Sequence, residues 1–166
     1  MPKPACAARI RRPRGSNEPS TAAPLADTGD QPDVLTRVGE ADVEALERGY
    51  AALNRGDVSV VLDLLHPDIE WHEPGPSPEA GTHRGRDSFE RFFRGWLESF
   101  EGFRVEPERV VRRGDQLVAV VRQTGAGRSS GVQVETRLAH VWTVADGKAV
   151  RWEAIAEPEA ALDDGG

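Results

Sequence analysis

Apolar residues recur at helical spacing from Val43 onward. Val43, Leu46, Tyr50 and Leu53 fall three or four positions apart and give one face of a helix. The run stops at Asn54-Arg55-Gly56-Asp57, where Gly56 supplies a C-terminal cap. Asp57 then caps a second, shorter helix that carries Val58, Val61, Leu62 and Leu65 on one side. Pro67 disfavours helical backbone at His66 and ends it. Ile69 and Trp71 alternate with Glu70 and His72, the signature of a short strand. A loop from Pro74 to Arg86 crosses to a third helix, begun by Asp87 with Glu90 three residues on, a capping-box spacing. Phe89, Phe92, Phe93, Trp96, Leu97 and Phe100 make its face the most apolar stripe of the chain, a core surface that can also wall a pocket.

After Gly102 the period changes from 3.6 to two. Four strand patterns follow, over 103–111, 116–125, 132–144 and 148–157. Arg112 to Gln116 and Ala145 to Lys148 read as hairpin turns, and Gly125 to Gly131 as a longer connection. That glycine-rich stretch joins two strands, whereas a phosphate cradle needs a helix N-terminus after it. The order helix, helix, strand, helix and antiparallel meander predicts an α+β domain with helices on one face of a bent sheet.

Strand parity decides which side chains meet. In the long strand over 132–144, Val134, Thr136, Leu138, His140, Trp142 and Val144 form the more apolar set and are assigned to the helix side. The matching set in the preceding strand is taken as Val118, Val120, Arg122 and Thr124. In the last strand it is taken as Arg151, Glu153, Ile155 and Glu157; the face with Trp152 is about as apolar, and a bulge would reverse the choice. Arg122, His140 and Glu157 would then sit on a face of Val, Leu and Trp, where an unpaired charge is costly. They are expected to be paired or to line a wet cavity of the kind that takes small molecules. On the first strand Ile69 and Trp71 point inward, so Glu73 does too at the strand end, and His72 points out. His72 and Glu73 diverge and His66 and His83 lie on other segments, so no metal site is expected. A carboxylate at the mouth of an apolar pocket has a raised pKa and suits a general acid or base.

Composition adds limits. The chain has 166 residues and a net charge of −7, which argues against generic nucleic-acid binding. The single cysteine, Cys6, excludes an internal disulfide and fits a reducing, cytoplasmic setting. No apolar run reaches the roughly 20 residues of a membrane span. Residues 1–38 differ from the rest: Lys3, Arg9, Arg11, Arg12 and Arg14 without an acid, then a stretch rich in Pro, Ser, Thr and Ala. This segment is expected to be a disordered tail, either merely solvated or a basic arm for nucleic acid or acidic lipid. Arginine interrupts its short apolar run, which argues against a signal peptide. The domain proper is expected over 39–162, with a disordered end at 163–166.

Three stretches carry a family resemblance: GYAALNRGDVSVVLDLLHPDIEWHEPG, GTHRGRDSFERFF and HVWTVADGKAVRW. Together they resemble the nuclear transport factor 2-like superfamily and, within it, the SnoaL-like, polyketide cyclase-like branch. The resemblance implies a cone of three N-terminal helices on a curved, mostly antiparallel sheet, a pocket inside, homodimers, and no cofactor. Members include ketosteroid isomerases, polyketide cyclases, limonene epoxide hydrolases, dehydratases and non-catalytic binders. In the isomerase pattern Glu73 before Pro74 holds the place of the catalytic base; the tyrosine donor's place is Gly49, with Tyr50 one position off, and the second donor falls at His140 or Ala139. In the epoxide hydrolase pattern Arg122 matches an arginine, Thr124 stands where an aspartate belongs, Glu157 replaces a third acid, and Trp71 and Glu73 occupy the water-holding positions.

The candidate catalytic residues are therefore Glu73, Arg122 and His140. Tyr50, Trp71, Trp96, Thr124, Trp142 and Glu157 are the candidate pocket residues. The expected activity is binding of a small apolar or polycyclic molecule, with cofactor-independent cyclase, isomerase or hydrolase-type proton transfer. The rivals are a ligand-binding or regulatory module of the same fold, and a structural dimer whose inner charges are merely paired.

Overall fold

Six strands form one sheet in the spatial order Gly81–Arg84, Leu65–Glu73, Lys148–Ile155, Gln133–Ala145, Gln116–Gly127 and Phe100–Arg113, with Leu65–Glu73 parallel to Lys148–Ile155 and every other neighbour antiparallel. The computed structural model describes residues 37–75 and 80–163. Most of the expected tail and residues 164–166 lie outside the described residues. The elements are α1 (Glu40–Asn54), α2 (Val58–Asp63), β1 (Leu65–Glu73), β2 (Gly81–Arg84), α3 (Arg86–Glu98), β3 (Phe100–Arg113), β4 (Gln116–Gly127), β5 (Gln133–Ala145), β6 (Lys148–Ile155) and α4 (Pro158–Asp163). The α+β class and the three helices before the meander agree with the sequence. β2, inside the expected loop, and the short α4 are additions.

Local chemistry explains the boundaries. The Asp42 carboxylate accepts a hydrogen bond from the Gly39 amide at 2.8 Å, tying down the start of α1. Gly56 follows the helix with a φ of +77°, the left-handed turn that ends helices and favours glycine. Asp57 does cap α2 by position, but its carboxylate takes the Ser59 hydroxyl at 2.6 Å. At α3 the cap is Gly85, with a φ of +101°, so Asp87 lies within the first turn and Glu90 pairs with Arg94 at 2.8 Å. Val38, one residue before the expected domain boundary, is already buried, and its amide donates to the Gly114 carbonyl at 3.0 Å.

Helices α1, α2 and α3 cover one face of the curved sheet, and Ala161 and Leu162 of α4 pack against Val118, Ala139 and Ile155 on the other. This gives β4 two buried faces: Val118, Ala119, Val120 and Val121 are all essentially inaccessible. The edge strand β3 bends at two irregularities in its pairing with β4, between Glu101 and Arg104 and between Pro107 and Arg109. Asn54, at the end of α1, closes that edge. Its side-chain amide donates to the Val105 carbonyl at 2.9 Å and accepts from the Val105 amide at 2.8 Å. One side chain thus satisfies both backbone groups that an edge strand would leave open. Asn54→Ala should lower the unfolding free energy by about 1–3 kcal/mol, seen as an earlier urea midpoint at unchanged slope.

Candidate functional site

Parity in β5 follows the sequence, and the site grows from it. His140 and Trp142 point to the helices, and Ala119 and Leu117 of β4 stand opposite them. Together with α1 and α3 they enclose a cavity of about 80 Å³. Its wall is almost wholly apolar: Leu46 and Leu53 from α1, Phe89 and Phe93 from α3, and Leu117, Trp142 and Trp152 from the sheet. Such a volume exceeds what one water needs and remains smaller than the space that takes a drug-sized ligand. The partly exposed Asp42 and Ala45 of α1, together with Val144 and Gly147 at the β5–β6 turn, form its outer side.

Three polar side chains of the cavity wall, Tyr50, His140 and Trp142, are joined in a row with Gln123 behind them. The Trp142 indole Nε1 donates to the Tyr50 hydroxyl at 3.1 Å. The same hydroxyl lies 2.9 Å from His140 Nδ1, and His140 Nε2 lies 3.4 Å from the Gln123 side-chain nitrogen. Tyr50 and His140 are only 5% and 6% exposed. Burial raises the Tyr50 pKa well above its ordinary 10.0, although the Trp142 hydrogen bond lowers it in part. Burial also depresses the His140 pKa from 6.5 to about 3, so its imidazole is neutral near pH 7. Trp152 packs edge-on to His140 at 5.4 Å, and its buried indole N–H has no acceptor among the described residues.

Of the residues singled out from the sequence, Tyr50, His140 and Trp142 meet at this cavity. The others do not line it. Trp71 is buried one layer away, stacked on His83 at 4.3 Å and beside Phe92 at 4.5 Å. Glu73 is at the far end of β1, opposite Gly81. Trp96 sits near the end of α3 against Phe100 and is 36% exposed.

The assignment of β4 is reversed. Leu117, Ala119, Val121 and Gln123 face the helices, so Arg122 and Thr124 project to the opposite face. There Arg122, half-exposed, lies within 3.7–4.0 Å of Glu106, Glu108 and Glu135. The physical cause is the double burial of β4: an apolar run on both faces gives no alternation to read. The last strand is reversed as well. An irregularity between Thr143 and Val144 shifts the β5–β6 register and puts Trp152 opposite Trp142 and Ala154 opposite His140. Arg151 accordingly faces outward, Ile155 packs beneath α4, and Glu157 lies exposed beyond the strand. Gln123 and Trp152 are the site residues that the sequence alone missed, and the bulge near the β5–β6 hairpin was the available signal for Trp152.

Among the described residues no group of three or more His, Cys, Asp and Glu side chains could hold a metal ion, and no described helix is long and apolar enough to cross a membrane.

A curved six-stranded sheet with helices over its inner face and an apolar cavity between them defines a protein of the nuclear transport factor 2-like class. Residues 46–152 match the SnoaL-like domain model, and the chain belongs to that family. It is 32% identical over 123 residues to an uncharacterized protein of Mycobacterium tuberculosis, covering 73% of this chain and 93% of that one. Among solved structures, a nuclear transport factor 2-like protein of Burkholderia thailandensis is 32% identical, with a TM-score of 0.63 over 73% of this chain and 94% of that one. TerC, co-crystallized with polyporic acid, is 28% identical, with a TM-score of 0.63 over 74% and 96% of the two chains.

The buried imidazole has a consequence for stability. Its folded pKa lies below its unfolded value, so between pH 6.5 and about 3 the unfolded chain binds the extra proton. The histidine therefore costs no stability above pH 6.5, and destabilises the fold progressively as pH falls through that window. Comparing urea unfolding of the native chain and His140→Gln across pH 7 to 4, the native chain should lose up to about 1.4 kcal/mol more per pH unit below 6.5.

Proposed function

We propose that the domain binds one small, mostly apolar molecule in this cavity, with the Tyr50 hydroxyl as its polar anchor. The supporting observation is the cavity itself, walled by leucine, phenylalanine and tryptophan but keeping one hydroxyl–imidazole pair at its surface. Apolar cavities with a few convergent polar groups are the usual shape of small-molecule sites. The co-crystallization of the similar TerC with polyporic acid supports the same reading. A guest larger than about 80 Å³, such as a polycyclic molecule, would extend past Asp42, Ala45 and Gly147 at the outer side.

The arrangement favours recognition over proton abstraction. Asp42 is the carboxylate among the described lining residues; it stands at the outer side and already holds the Gly39 amide. His140 is neutral and its Nδ1 is engaged by Tyr50. Of the three catalytic candidates, Glu73 and Arg122 are not gathered around the cavity with His140, and neither is Glu157, the replacement for a third acid in the epoxide hydrolase pattern.

The test is native mass spectrometry of protein purified from its own host, paired with displacement of a fluorescent apolar dye. The native chain should carry a releasable small molecule or bind the dye, and Ala45→Trp, which plugs the outer side, should weaken dye binding at least about tenfold while the fold persists. A native chain that neither carries a guest nor binds the dye, or an Ala45→Trp chain that binds it as well, would refute the proposal.

A further inference from the structure

The charges at the outer side of the cavity have one sign. Asp42, in the first turn of α1, is the carboxylate among the described lining residues, and no lysine or arginine is among them. The other two ionisable wall residues are uncharged near pH 7, since burial keeps His140 neutral and Tyr50 protonated. Two exposed acids adjoin the same side. Asp146 precedes the lining residue Gly147, and the Asp115 carbonyl accepts the amide of the lining residue Val144 at 2.9 Å. Cations close by in the chain are engaged elsewhere. The Lys148 ammonium donates to the Asp63 carbonyl, Arg112 pairs with Glu40 at 3.5 Å, and Arg113 donates to carbonyls of α4. Arg37 and Arg48 are exposed, and neither lines the cavity. The N-terminus of α1 offers only about half a positive charge against the carboxylate of Asp42. The Gly39 amide donates to that carboxylate at 2.8 Å and uses one of its roughly four acceptor positions. Asp42 thus keeps both charge and acceptor capacity at the cavity's outer side.

We infer that the guest of this cavity is an amine, an apolar body ending in a protonated nitrogen, and that Asp42 is the counter-ion for that nitrogen at the outer side. The inference rests on the small-molecule reading above and names the chemical class of the guest. The apolar body leaves water to lie among Leu46, Phe89 and Phe93, which is the favourable term. A charge carried to the inner end would be buried without a charged partner, at high cost. At Asp42, which is half-buried, the ammonium pairs while it keeps part of its water. The apolar wall on one side leaves this pair less screened than a pair on open surface. A guest with a carboxylate at the same end would meet like charge, with no lysine or arginine among the described lining residues to answer it. The cavity therefore selects by size and shape, and Asp42 selects by charge.

Three probes built on one ring test this on the full chain: cyclopentylamine, cyclopentanol and cyclopentanecarboxylate, titrated by NMR near pH 7 at low salt. The native chain should bind the amine at least about tenfold more tightly than the carboxylate. Asp42→Asn keeps a carbonyl oxygen for the Gly39 amide and removes only the charge. It should weaken the amine about threefold to tenfold, leave the alcohol unchanged and tighten the carboxylate. Salt at about 1 M should shrink the amine's advantage in the native chain and have no such effect in Asp42→Asn. An amine affinity that Asp42→Asn leaves unchanged, an equal loss for amine and alcohol, or a carboxylate bound by the native chain as tightly as the amine would each overturn the inference. Alcohol binding by Asp42→Asn shows that the variant retains its cavity. If the native chain binds none of the three probes, the cavity reading fails first and this inference with it; if it binds the alcohol but shows no Asp42-dependent gain for the amine, only the inference fails.

Discussion

Trp142 and His140 on β5 both reach Tyr50 on α1, across about 90 residues of chain, and their hydrogen bonds hold helix and sheet at a fixed distance and register. Buried polar groups are costly unless partnered, so a shift of either element exacts a penalty from three side chains at once. A slip of one residue in β5 would turn His140 and Trp142 away and bring Ala139 and Val141 inward, where neither can meet the tyrosine. A small cavity persists beside the pair, while leucine, phenylalanine and tryptophan close in from the other sides.

The outer face of the sheet obeys a different logic. α4 covers Val118, Ala139 and Ile155, and Arg113 helps hold it by donating to the Ala161 and Leu162 carbonyls at 2.8 and 2.6 Å. Farther along, Arg137 links Glu108 at 2.6 Å with Glu159 at 2.7 Å, so β3, β5 and α4 are tied by one guanidinium. Exposed pairs of this kind each contribute little to stability. Arg122 belongs to this outer lattice. The same strand that sends Arg122 out sends Gln123 in, so the placement of the polar row at the cavity and of the charges outside are two results of one parity.

Much of the architecture was legible because the patterns were strong. The helix periodicity through Val43, Leu46, Tyr50 and Leu53, the aromatic stripe of α3 and the alternation in β5 each point to one element and one face. That is why Tyr50, His140 and Trp142 could be picked out before any coordinates. Failures occurred where alternation carries no information. In β4 five consecutive apolar residues, Leu117 to Val121, are buried across both faces, and only pairing with β5 reveals that Gln123 is the inward polar residue. In β6 a local irregularity reversed the parity and exchanged Trp152 for Arg151. Glu73 faced a different obstacle: strand alternation gives the side of a sheet, but not the distance along it to a cavity formed by α1, α3 and β5.

Everything functional here depends on an unfilled apolar space beside Tyr50 and His140. Xenon is a direct probe, because it enters dry apolar cavities and is dense enough to locate in a crystal. A crystal of the full chain under xenon pressure should show one or more xenon atoms in contact with Leu46, Phe93 and Leu117, within a few ångströms of the Tyr50 ring. A map in which side chains occupy that space and no xenon binds there would contradict the account, leaving a folded SnoaL-like domain without an interior site.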